Sequence, residues 1–218
     1  MKAWRPELFG RTLAELSRRT KLGYVFIGTE EERKSIHIAQ TTYRQAGGTG
    51  RLCDAVGRTT LPQLAAVLAQ CRALLTNDTG PMHLAVGVGT PVIDLSVGHV
   101  DHHETGPYGP GHWVIQPDLA CSPCGFDQIC AHHACKDRII PEEVAMLCLH
   151  ALGRAPFPAW SLGVRVYQSS ADADGLGAFI MRAGHVDAEV AWYAEFWRRF
   201  WYEDFTGRPS QVASNLEP

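Results

Sequence analysis

Residues 74–96 read LLTNDTGPMHLAVGVGTPVIDLS: a strand-length apolar run, a four-residue polar turn, a short apolar segment with Pro81 near its start, then a second apolar run. Two such runs separated by a helix-length segment predict parallel strands joined by a right-handed crossover. This unit admits little besides an α/β sheet. The same alternation extends backwards. Pro6 and the spacing of Leu8, Leu13 and Leu16 predict a helix, and LGYVFIG predicts a buried strand ending at Gly28. EEERKSIHIAQTTYRQAGG predicts a second helix, RLCDAVG a short strand, and TTLPQLAAVLAQC a helix capped by Thr.

Beyond residue 96 the pattern loosens. Residues 97–140 are rich in Gly, Pro, His and Cys, with one strand expected at HWVIQP, and Pro141 opens a helix that stops at Gly153. RAPFPAW reads as a connector. GVRVYQSS and LGAFIM predict a strand pair around ADADG, and HVDAEVAWYAEFWRRFWYEDF an aromatic helix. The expected architecture is α/β: a Rossmann-like parallel sheet with helices on both faces in residues 1–153, and a C-terminal extension, 154–218, holding the strand pair and the helix.

With 45% apolar and 20% charged residues, the chain can bury a globular core. A net charge of −3 provides no global basic field, so nucleic acid is not an expected partner. No apolar run approaches the roughly 20 residues that cross a bilayer, and MKAWRPELFG lacks the apolar stretch of a signal peptide. The default expectation is cytoplasmic.

The candidate site is the turn after the strand at 74–77. In open α/β sheets, ligands sit at the carboxyl ends of strands, where a helix N-terminus offers unpaired N–H groups to a phosphate. Thr79 can cap and donate a hydroxyl, and Gly80 lets a bulky group approach the backbone. His83, four residues from Thr79, shares its helix face. The bland alternative is that Asp78 or Thr79 only caps the helix and His83 is a core histidine.

NDTGPMHLAVGVGTPVIDL resembles the signature segment of glycosyltransferase family 9, the ADP-heptose:lipopolysaccharide heptosyltransferases. The likeness continues through ETGPYGPGHWVIQPDLACSPC to IIPEEV, and backwards through TTLPQLAAVLAQCRALLT to KAWRPELF. It implies one half of a GT-B fold, the carboxyl-terminal half that grips a nucleotide-diphosphate sugar such as ADP-heptose, with no cofactor required. It also implies a glycan or lipid-linked acceptor bound by an amino-terminal domain, and a cytoplasmic setting or a peripheral one at the inner membrane.

On this resemblance Lys2 contacts donor phosphate, Glu30 contacts the ribose, and Asp78, Thr79, Gly80, Met82 and His83 contact the phosphates and leaving group. Glu31 competes with Glu30 for the ribose role, and all three acids at 30–32 also suit a helix first turn. The family's general base, an Asp of the amino-terminal domain, has no counterpart here. The chain is therefore expected to be an incomplete transferase alone, or else a non-catalytic nucleotide- or sugar-binding module working with a partner chain. The stretch SVGHVDHHETGPYG, with His99, His102 and His103, departs from the family's usual loop.

Cys121, Cys124, Cys130 and Cys135 are spaced C-x2-C-x5-C-x4-C. That spacing suits structural zinc, and equally free or paired thiols holding a loop. Cys53, Cys71 and Cys148 read as core filler. Trp192, Tyr193, Phe196, Trp197, Phe200, Trp201 and Phe205 form a broad helical face. It predicts packing on its own domain, on a neighbouring domain or on a membrane surface, with homodimerisation or a partner chain where the face stays uncovered.

Overall fold

The computed structural model describes residues 3–186 and 188–212. Helix α1 spans Pro6–Arg19, with Pro6 in the first turn, Glu7 at the positive end of the dipole and Arg18 and Arg19 at the negative end. Strand β1 (Tyr24–Phe26) follows, then a 3₁₀ turn at Glu30–Glu32 that runs into α2 (Arg33–Gln45). The Glu32 carboxylate accepts the Thr29 N–H at 2.8 Å, half of a capping box that fixes this helix start. Strand β2 (Leu52–Asp54) leads to α3 (Leu61–Ala69), where Gln63 accepts the Thr60 N–H at 2.9 Å in the same manner.

Next come β3 (Leu74–Asn77), α4 (Gly80–Gly87), β4 (Val92–Leu95), the one-turn α5 (His102–Thr105) and β5 (Trp113–Pro117). After the Cys-rich loop lie the one-turn α6 (Cys135–Arg138) and α7 (Pro141–Ala151). Strands β6 (Val164–Ala171) and β7 (Gly177–Ala183) and helix α8 (Ala188–Thr206) complete the order.

Strands β1 and β2 pair in parallel, Tyr24 opposite Leu52. The second sheet has the order β3-β4-β5-β6-β7. Its first three strands are parallel, with Leu74 opposite Val92 and Ile93 opposite Trp113. The sequence pattern left the docking of the strand pair open. In the structure β6 runs antiparallel to β5, Trp113 opposite Gln168 through Pro117 opposite Val164, and β7 runs antiparallel to β6. The sheet is therefore mixed, its parallel part extended at one edge by a hairpin.

Strand alternation sorts the core into two layers. Ile93, Leu95, Trp113, Ile115, Val164 and Val166 join one buried cluster with Leu16 of α1 and Val144 and Leu147 of α7. Val92, one residue before Ile93 and so pointing to the opposite face, joins Leu68 of α3 and Met82 and Ala85 of α4 in a second cluster. Helices thus cover both faces. Each fully buried aliphatic side chain of this kind stabilises by roughly 1.5–3 kcal/mol over its exposed state. Helices α1 and α2 approach closely at Gly10, where a Cβ would lie 2.4 Å from the Ala39 carbonyl oxygen.

Cys148 is core, as expected, and burial pushes its thiol up to about 12. Cys53 is not: it is exposed, because β2 pairs only with β1 and shows one side to solvent. Cys71 is half-buried. Among the described residues no helix is long and apolar enough to cross a membrane.

Candidate functional site

Strand β3 ends at Asn77, and the chain turns through Asp78 and Thr79 into α4. Asp78 is buried, 3% exposed, and its Oδ2 accepts the Thr105 hydroxyl hydrogen from α5. Thr79 occupies the N-cap position in extended conformation, but its hydroxyl donates back to the Asn77 carbonyl at 3.2 Å and makes no side-chain cap. The first helical bond runs from the Met82 N–H to the Thr79 carbonyl at 2.9 Å. The Thr79 and Gly80 N–H groups therefore precede the helix ladder, where amides have no intrahelical partner.

A Cβ built on Gly80 would meet nothing within 4 Å, so the space over this turn is open. His83 is exposed one turn further on, and Met82 is fully buried in the core beneath. Asp78 thus anchors the turn, Met82 seats it, and Thr79, Gly80 and His83 present it.

Two contacts at this junction lay outside sequence reasoning. The Trp4 N–H donates to Asn77 Oδ1 at 2.9 Å, while its indole N–H donates to the Lys136 carbonyl at 2.9 Å. The start of the chain is therefore stapled to the end of β3. Lys2 itself lies outside the described residues. Thr105, the partner of Asp78, falls in ETGPYG, and nothing in its local sequence marks it as a partner.

Glu30 lies at the far end of β1 and is exposed. Arg33 grips its carboxylate at 2.5 and 2.7 Å, holding it below the usual carboxylate range. Gly57 fits against it, since a Cβ there would lie 2.7 Å from Glu30 Oε2, and Gly57 adopts φ +66, a conformation glycine tolerates best. The same arginine donates to the Val56 carbonyl at 2.8 Å. A hollow of about 430 Å³ opens nearby along α2, lined by Arg33, His37, Gln40 and Asp54, and no junction residue lines it.

The β4–α5 loop carries His99, and α5 opens with His102 and His103. His99 stacks at 4.7 Å on Phe126 of the Cys-rich loop. His102 is buried, packed 4.1 Å from Tyr167 and 4.8 Å from Phe179, and burial pulls its pKa down to about 3. Asp101 caps α5 by accepting the His103 N–H at 3.0 Å. Its carboxyl is held down to about 2, first by the bond to the His103 side chain.

The four loop cysteines are free thiols. The Cys124 N–H donates to the Gly98 carbonyl at 2.9 Å, tying this loop to the histidine loop, and Cys130 Sγ accepts the His133 N–H at 3.2 Å. Burial, then its neighbouring thiols, pushes the Cys124 thiol up. Those neighbours are Cys121, Cys135 and Cys130, so the loop does gather its four thiols around Cys124. Among the described residues the tight grouping of metal-type ligands is Asp101, His102 and His103.

A mixed sheet with helices on both faces, and an open turn at the carboxyl end of a parallel strand, define an α/β domain of the Rossmann-like class. Residues 1–133 match the model of glycosyltransferase family 9 (heptosyltransferase), and the chain belongs to that family. It is 27% identical over 146 residues to lipooligosaccharide heptosyltransferase 2 of two Campylobacter jejuni strains, serotypes O:2 and O:6. Those alignments cover 66% of this chain and 44% and 45% of the relatives, so the chain spans under half the relatives' length. The fold is similar to that of the E. coli ADP-heptose LPS heptosyltransferase II, with a TM-score of 0.57 and 21% identity, over 70% of this chain and 43% of that one.

Proposed function

We propose that this chain is the donor-binding part of a heptosyltransferase-type glycosyltransferase, gripping a nucleotide-diphosphate sugar of the ADP-heptose kind at the turn from Asp78 to His83. The observation that carries this reading is the open space over Gly80, at a turn whose first amides precede the helix ladder. Backbone N–H groups of Thr79 and Gly80, the positive end of α4 and the His83 imidazole would receive the diphosphate as negative charge develops on it. No metal is needed for that step. Glu30, released from Arg33, would accept from ribose hydroxyls, and Lys2 would reach a donor phosphate. Asp78 and Met82 act as positioning residues, the first through Thr105 and the second through the core.

The general base and acceptor site would come from the remaining length seen in the relatives. Binding a glycan or lipid-linked acceptor, and a cytoplasmic or peripheral inner-membrane location, follow from the same proposal. A second reading, a nucleotide-sugar-binding module acting with a partner chain, is supported by the exposed rings of α8, which offer such a chain an apolar surface. A transfer assay with a matching acceptor domain supplied in trans separates the two, since only a transferase half gains activity.

Titration calorimetry with ADP, UDP and GDP tests the site. One nucleotide should bind. Gly80→Leu, which meets no protein atom at Cβ, should weaken it by about tenfold or more with circular dichroism unchanged, the equivalent of ~1.4 kcal/mol. Absence of binding, or equal binding by the variant, overturns the assignment.

A further inference from the structure

At the start of α5, one candidate ligand atom from each of Asp101, His102 and His103 lies within 4.8 Å of the other two. Asp101 Oδ1 is 3.0 Å from His103 Nδ1 and 3.7 Å from His102 Nδ1. A tetrahedral ion with bonds of about 2.0 Å to nitrogen and oxygen sets its ligand atoms about 3.3 Å apart. The two separations straddle that value.

His102 is the telling residue. Its side chain is 1% exposed, and neither ring nitrogen has a hydrogen-bond partner among the described residues. A buried imidazole with both nitrogens idle is costly unless something else engages one of them. The ring is held in place by Tyr167 at 4.1 Å, Phe179 at 4.8 Å and His103 at 4.0 Å, so it cannot swing out to find water. Asp101 is oriented in turn by the His103 N–H, the type of outer support that fixes ligands in metal sites. The side chains of Asp101 and His103 are 32% and 58% exposed, which leaves a path in from solvent.

We propose that Asp101, His102 and His103 bind one divalent transition-metal ion of the zinc or cobalt kind, with water completing its shell. Two imidazoles and a carboxylate suit such ions, whereas magnesium and calcium favour all-oxygen sets. Each ring binds as the neutral imidazole through one nitrogen and keeps its proton on the other. The site stands apart from the nucleotide reading: it needs no donor sugar and none of the four loop cysteines.

Titrating the metal-free, reduced full chain with Co²⁺, and following its visible absorption, tests this. We expect one equivalent with weak ligand-field bands and without intense thiolate charge-transfer absorption. Cys124→Ser should bind that equivalent as the wild type does. His103→Ala, which removes a largely exposed ring, and Asp101→Asn should each weaken it roughly tenfold or more. The proposal is overturned if no equivalent saturates, if both variants bind as the wild type does, or if all binding shows thiolate bands and disappears in Cys124→Ser.

Discussion

His102 shows how one side chain couples this fold to pH. An unfolded chain protonates its imidazole near 6.5, but burial delays that event in the folded protein to about 3. Between those values the unfolded state holds the extra proton, so stability is complete above about 6.5 and falls as the pH drops. The slope contributed is up to ~1.4 kcal/mol per pH unit. His102→Phe retains a ring against Tyr167 and Phe179 and removes the titration. Urea unfolding at pH 7 and pH 5 should show a smaller loss for the variant, and equal losses would refute the assignment. Asp78, Thr79, Gly80 and His83 were legible in the sequence because six contiguous residues build that turn. The Trp4–Asn77 and Asp78–Thr105 contacts were not, because 73 and 27 residues separate the partners and no local pattern encodes them.

At the scale of elements, hydrophobic period placed strands and helices in order, since each apolar run has to find a buried face. The same period cannot say whether a strand near the C-terminus pairs with a parallel neighbour or starts its own sheet. That choice was made by β5, whose free edge accepts β6. Nor could it show that β2 leaves Cys53 facing water. Close helix packing gives a sharper test. Gly10→Ala would put a Cβ 2.4 Å from the backbone oxygen of Ala39, where no flexible side chain can yield. We expect a loss of about 1–3 kcal/mol, read as a fall in Tm of several degrees. Gly87→Ala, in α4 with nothing within 4 Å of its Cβ, should be neutral or stabilising by up to ~1 kcal/mol. Similar losses in both would mean that α1 and α2 do not meet as described.

For the molecule as a whole, α8 stands out as a long helix with no buried residue. Trp192, Phe196 and Phe200 stack in one row and Trp197, Trp201 and Phe205 in the next, all at least 37% exposed. Arg198 secures the helix through Asp172 and Asp174 of the β6–β7 turn, a polar tether that leaves the rings free. Contiguous exposed rings of this extent mark a surface for association, in line with the proposed homodimer or partner chain. Sedimentation at micromolar concentration should give a mass above the 24.0 kDa of one chain. The Trp197→Glu, Trp201→Glu double variant should return it to that value. A wild-type monomer would remove the dimer.

Thr105 has a single hydroxyl hydrogen, and Asp78 holds it. Any guest that reorients this carboxylate pulls on the one-turn helix bearing Asp101 and the paired imidazoles, and any tightening of that helix pulls back on the carboxylate. Such linkage is symmetrical: free energy taken at one end is exacted in equal measure at the other. A ligand at the proposed strand-end site and an ion at the proposed histidine site would then act as two arms of one balance, with Thr105 as its pivot.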